Sequence, residues 1–99
     1  MTVVIRPEAE SDLFEAIEYC ARGGEFAVKR FVARVESRLQ FLERQPEGAP
    51  IIYAHFRRLL IHPYPFGIFY HLSDEFIFVI AVLDLRQDPA AIKTRLNSD

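Results

Sequence analysis

The sequence predicts a two-layer α+β domain: an N-terminal strand and an α-helical hairpin packed on an antiparallel sheet, followed by a short C-terminal helix. Two apolar stripes at helical spacing occupy the first half of the chain, and three aromatic and β-branched runs occupy the second. The link between the two helices is only about two residues, so antiparallel packing is nearly forced. A chain of 99 residues suits one domain, 1–99, and an apolar content of 51% is enough for a core.

Val3-Val4-Ile5 is short and β-branched and reads as a strand. Pro7 fits the first position of a helix, where no amide donor is needed. Glu8, Glu10 and Asp12 follow in the first turns, where the helix dipole favours negative charge. Ala9, Leu13, Ala16, Ile17 and Cys20 form one apolar stripe, and Gly23-Gly24 ends the helix. The second helix is expected over 25–44, with Val28, Phe31, Val32, Val35, Leu39 and Leu42 on its apolar face. Pro46 and Gly48-Ala49-Pro50 stop it. Strands are expected over 55–62, 66–72 and 76–83. Pro63-Tyr64-Pro65 separates the first two, and Ser73-Asp74 makes a tight turn between the others. Asp88 and Pro89 read as the cap and first residue of a helix over 90–96, with 97–99 frayed.

Such a turn sets Leu72 opposite Glu75, Tyr70 opposite Ile77, Ile68 opposite Val79 and Phe66 opposite Ala81. The other face then carries Gly67, Phe69 and His71 against Phe76, Phe78 and Ile80. Both faces are apolar, while two helices cover one face only. The second face needs cover from the C-terminal segment, another copy or a partner.

A net charge of −2 and a pI near 5.9 argue against strong direct nucleic-acid binding, though a local basic patch stays open. The lone Cys20 excludes an intrachain disulfide and a cysteine-based metal site, and its helix-core position reads as a plain buried thiol. His55, His62 and His71 lack a tight ligand pattern, so no metal and no cofactor are expected. No apolar run is long enough for a membrane span, and the N-terminus lacks a signal peptide's long apolar region; a cytoplasmic protein is expected.

Arg6-Pro7-Glu8-Ala9-Glu10-Ser11-Asp12-Leu13 resembles the x-P-E-A-x-x-D-L opening of the RelE/ParE toxin superfamily. Phe31-Val32-Ala33-Arg34-Val35 resembles its second helix. Phe56-Arg57-Arg58-Leu59-Leu60, Tyr64-Pro65-Phe66-Gly67-Ile68-Phe69-Tyr70 and Val82-Leu83-Asp84-Leu85-Arg86-Gln87-Asp88-Pro89 resemble its later strands. The resemblance implies a toxin of a type II toxin–antitoxin (plasmid stabilisation) system. Its antitoxin, a ParD-like protein with a ribbon-helix-helix N-terminal domain, would wrap the toxin and cover apolar surface. The ParE branch poisons DNA gyrase; the RelE branch cleaves messenger RNA on the ribosome.

Metal-free RNA cleavage needs a group to activate the 2′-hydroxyl, cations to hold the phosphorane charge and an acid for the leaving oxygen. Lysine occurs only at Lys29 and Lys93, neither on an expected strand, and no tyrosine or histidine follows Arg86. Where the family commonly ends His-x-Arg-Arg, the sequence has Asp84-Leu85-Arg86-Gln87. The sequence therefore favours a ParE-like binding inhibitor, with no catalytic residues assigned. The alternatives are a RelE-like ribosome-dependent nuclease and a non-toxic relative that acts only as a binding module.

Candidate residues for target or antitoxin binding are Arg57, Arg58, His71, Phe76, Phe78 and Arg86. Arg57 and Arg58 should point to opposite sheet faces. For Arg86 the structural alternative is an ion pair with Asp84 or Asp88. Arg30, Arg34 and Arg38 form a secondary basic row on the second helix, expected to be a solvated face or a partner contact. Phe41 lies beside it, either under the 46–50 loop or as a partner anchor. Tyr53, Tyr64 and Tyr70 are read as structural.

Overall fold

The structure, a computed structural model, describes residues 1–98. The chain runs β1 (Thr2–Ile5), α1 (Pro7–Cys20), a 3-10 turn (Ala21–Gly23), α2 (Glu25–Arg44), β2 (Ile51–Tyr53), β3 (Phe56–Leu60), β4 (Phe66–Leu72), β5 (Phe76–Asp84) and α3 (Pro89–Asn97). Between α1 and α2, Gly24 takes a φ of 92°, a left-handed value that glycine adopts without a Cβ clash.

The sheet order is β1-β5-β4-β3-β2. The strands β2 to β5 are antiparallel, as the sequence predicts, but β1 joins β5 in parallel, so the sheet is mixed. The short β2 escapes sequence reading, because its three residues follow Pro50 directly and carry too little pattern. The next strand, β3, is correspondingly shorter than the expected 55–62, since Ala54 and His55 form the turn that pairs it with β2.

The β4–β5 register also differs from expectation. Ser73, not Asp74, closes the hairpin: its amide donates to the Phe76 carbonyl at 2.9 Å, and its hydroxyl accepts from the Phe76 amide at 3.2 Å. Asp74 and Glu75 therefore form the turn, and Tyr70 pairs with Val79 rather than Ile77. A bulge follows, where the register shifts from Tyr70–Val79 to Phe69–Ala81. It moves Ala81 off the helix-facing side and sets Val82 there in its place.

One face of the sheet packs Phe66, Ile68, Tyr70, Ile77, Val79 and Val82 against α1 and α2, with Phe31, Val35 and Leu42 contributed from α2. The other face is partly covered by the C-terminal segment: Ile92 and Leu96 of α3 pack with Phe56, Phe69, Ile80 and Ala81. As the sequence predicts, the Asp88 carboxylate caps α3 by accepting from the Ala90 amide at 2.9 Å, and Pro89 follows it. The helix continues through Asn97 rather than fraying there, because the Asn97 side chain donates to the Tyr53 hydroxyl at 2.9 Å. Residue 99 lies outside the described residues.

A helix of nine residues is marginal by itself and needs tertiary anchors. The strongest is Asp12 of α1, a charged residue only 8% exposed. Since β1 stops pairing at Val79, the Val82 amide has no strand partner on that side. The Asp12 Oδ2 accepts from that amide at 3.0 Å, and the Arg95 guanidinium of α3 donates to both carboxylate oxygens at 2.9 and 2.8 Å. One carboxylate thus joins α1, the open margin of β5 and α3. Replacing Asp12 by Ala removes the acceptor of the buried Val82 amide and both of its bonds to Arg95, so it should cost about 3 kcal/mol. Urea unfolding measures this; a loss under about 1 kcal/mol, the level of an exposed pair, would show that the clamp is dispensable.

Candidate partner-binding surface

Strand alternation divides the sheet arginines between faces. Arg57 lies opposite Tyr70 on the helix side, where its Nη1 donates to the Ala49 carbonyl at 2.7 Å and to the Glu47 carbonyl at 3.4 Å. It is engaged in holding the loop after α2. Tyr70 supports the same loop through its hydroxyl, which donates to the Pro46 carbonyl at 2.8 Å. Burial raises the Tyr70 hydroxyl's pKa.

Arg58 points to the opposite face, with its stem beside Gly67 and Leu85. A groove of about 180 Å³ runs there, with Arg58, Tyr53, Phe69, Leu85 and Leu96 among its walls. The Arg58 Nε is buried and has no hydrogen-bond partner among the described residues. The same face also carries a row of rings. His55 stacks on Phe56 at 4.2 Å and meets His71 edge-on at 5.2 Å. His71 lies 5.5 Å from Phe78, and Phe78 lies 5.8 Å from Phe76. Phe76 is 38% exposed. The structure therefore brings Arg58, His71, Phe76 and Phe78 onto one face and places Arg57 apart. His62 lies at the far end of β3, so the three histidines do not converge; among the described residues no group of three or more His, Cys, Asp or Glu can hold a metal ion.

Arg86 takes the ion pair with Asp84. Its Nε and Nη2 donate to the two Asp84 oxygens at 3.0 and 2.7 Å, and its amide donates to Oδ1 at 2.9 Å. Its guanidinium also lies 5.7 Å from the centre of the Tyr19 ring. Hydrogen bonding to Arg86 lowers the Asp84 carboxyl pKa, and the same bonds, followed by Tyr19, raise that of Arg86.

The basic row on α2 is not simply a solvated face. Arg34 Nε donates to the His62 carbonyl at 2.6 Å, and Arg38 Nε donates to the Leu60 carbonyl at 3.1 Å. Arg30 is exposed beside a depression formed with Tyr19, Cys20 and Tyr64. Phe41 lies under the 46–50 loop: a Cβ added at Gly48 would stand 2.7 Å from its ring. Tyr64 packs edge-on against Phe31 at 4.9 Å, and burial raises the pKa of the Cys20 thiol, which favours its uncharged form. Sequence reading missed two exposed aromatics on the hairpin, Phe14 and Phe26, at 60% and 77% exposure. Both lie off the apolar stripes, where periodicity carries no signal.

Comparison with known proteins bears on this surface. The family model for the ParE toxin of the type II toxin–antitoxin system parDE matches residues 3–89. The chain belongs to the ParE toxin family. Toxin ParE2 of Mycobacterium tuberculosis, from strains CDC 1551 / Oshkosh and ATCC 25618 / H37Rv, is 27% identical over 92 residues, covering 89% of this chain and 85% of the relative. A solved structure of the chromosomal ParDE system from P. aeruginosa shares the fold at a TM-score of 0.74, with 20% identity, over 87% of this chain and 97% of that one. The molecule is thus a ParE-type toxin of a type II toxin–antitoxin system, and the motif aspartate of its opening, Asp12, is the residue that anchors α3. No described helix is long and apolar enough to cross a membrane.

The closing arginine of this ParE-type chain supplies a pH test. With the folded pKa of Asp84 depressed, the pair contributes above the ordinary aspartate value of 3.8 and is lost as the pH falls through the lower folded value. The Arg86 Nε–H resonance should therefore shift with a midpoint below 3.8. A midpoint at or above that value would show that the pair does not persist in solution.

Proposed function

We propose that this ParE-type toxin acts by binding its target rather than by cutting RNA, that the target is DNA gyrase, and that a ParD-like antitoxin with a ribbon-helix-helix N-terminal domain neutralises it. The observation that carries the reading is the bidentate Asp84–Arg86 pair. A cleaved phosphodiester needs unneutralised cations around the phosphorane. Here the arginine nearest the end of β5 is matched by a carboxylate, Arg57 is held by loop carbonyls, and both lysines sit on helices. Of the three sheet-side arginines, Arg58 keeps a buried guanidinium nitrogen with no hydrogen-bond partner among the described residues.

For the antitoxin, the open end of the α3-covered face supports a docking role. Phe76, Phe78 and His71 are contiguous and half-open, and the Arg58 groove beside α3 lies on the same face. An apolar segment laid along this row would bury the rings, and an acidic side chain entering the groove would pair Arg58.

Purified toxin should inhibit supercoiling by gyrase and lose inhibition when the antitoxin is added. Translation-dependent cleavage of messenger RNA that disappears in Arg58→Ala would replace this reading with the nuclease one. Harmless overexpression without antitoxin would favour a binding module. Replacing Phe76 and Phe78 together by Asp should weaken antitoxin binding by about 2 kcal/mol or more. Unchanged affinity in a folded variant would move the antitoxin to another surface.

A further inference from the structure

We infer that Arg34 and Arg38 form a binding site for a phosphate group, set between α2 and the open edge of β3 and separate from the face that carries Arg58 and Phe76. The inference is independent of the toxin's target.

The site begins with an unfinished sheet edge. The last bond that the β2 side gives β3 is the Arg58 amide to the Pro50 carbonyl, at 3.1 Å. Beyond it the outward carbonyls of Leu60 and His62 have no neighbouring strand, and the Nε groups of Arg38 and Arg34 bond to them instead. Protecting an edge in this way requires one donor from each side chain. It leaves both pairs of terminal nitrogens without a hydrogen-bond partner among the described residues, and none of the ion pairs there includes either arginine. Both arginines line a cavity of about 310 Å³ whose wall also includes His62, Gly48, Ala49 and Pro50. Arg57 steadies that wall through the Ala49 carbonyl at 2.7 Å.

The pair is preorganised, and among the described residues it contacts neutral groups: the two carbonyls and, for Arg38, the face of the Phe41 ring 5.0 Å away. Each guanidinium is fixed by its Nε, so little rotamer freedom remains to be lost on binding. Two like charges one helical turn apart repel. Burial, and then the charge of Arg34, lower the pKa of Arg38 accordingly. An anion between them would remove the repulsion. A phosphate suits this donor set better than a single carboxylate. A free or terminal phosphate offers three or more acceptor oxygens and close to two negative charges against two forked cations, and a backbone phosphodiester offers two such oxygens and one charge. The cavity has room for a phosphate group together with water or the remainder of a larger phosphorylated ligand. The net charge of −2 for the whole chain makes this a local site, not a general polyanion surface.

The test titrates the purified full chain at low salt with inorganic phosphate, with a short single-stranded oligonucleotide and with glutarate, following the Arg34 and Arg38 Nε–H resonances. Saturable shifts at both arginines with phosphate or oligonucleotide, and weaker binding of glutarate, are expected. Tighter, steeply salt-dependent binding of the oligonucleotide would identify a nucleic-acid backbone as the source; binding of inorganic phosphate at least as tight would identify the free ion. The double variant Arg34→Lys with Arg38→Lys keeps the charge and loses the forks, and should bind about tenfold more weakly. No saturable shift at either arginine, glutarate binding as tightly as phosphate, or undiminished affinity in the lysine variant would each overturn the site. The resonances of the unmodified protein decide the matter even where the variant does not fold.

Discussion

The Asp12 carboxylate ties together three parts of the molecule that would otherwise meet only weakly. The short β1 leaves the upper part of β5 without a strand on one side, and Asp12 supplies the missing acceptor to the Val82 amide. The same group binds Arg95 through two parallel hydrogen bonds and so fixes α3 against the second face of the sheet. The helix is also held by the apolar contacts of Ile92 and Leu96 and by the hydrogen bond between Asn97 and Tyr53. Its position determines which part of that face stays open: the groove above Arg58 and the row of rings from His55 to Phe76. The surface available to a partner therefore depends on an interaction made near the start of the chain.

The arginines show how similar side chains acquire different roles from their surroundings. Arg57 and Arg58 are adjacent in sequence, yet strand alternation sends one to loop carbonyls and the other into an apolar groove. Arg86 is neutralised by a carboxylate two residues away, a contact its local turn makes possible. Arg34 and Arg38 bond to carbonyls through Nε, and their terminal nitrogens make no hydrogen bond among the described residues, though the Arg38 guanidinium lies over the Phe41 ring. Charge alone would rank these residues equally; the partner of each nitrogen separates a structural arginine from one able to meet a ligand.

Periodicity was enough to place both long helices, the three main strands and the capped C-terminal helix, because each spans enough residues for its pattern to stand out. The motif order likewise points to the toxin family, and an ion pair of Arg86 with Asp84 is among the readings their spacing leaves open. Other features left no local trace. The three residues of β2 are too few to show alternation, the bulge in β5 depends on how two strands meet, and the parallel docking of β1 depends on the path of the chain through both helices.

Taken alone, then, the amino-acid order determined the element types, the two-sided apolar sheet and the family, since these rest on patterns within short windows and on motifs in sequence. Tertiary structure alone decided that Asp12 serves as a clamp rather than a helix-dipole charge, that α3 covers part of the second face, and that Arg34 and Arg38 turn toward the β3 edge. Each of these depends on groups far apart in the chain, whose unsatisfied donors and acceptors become visible only once the backbone has brought them together.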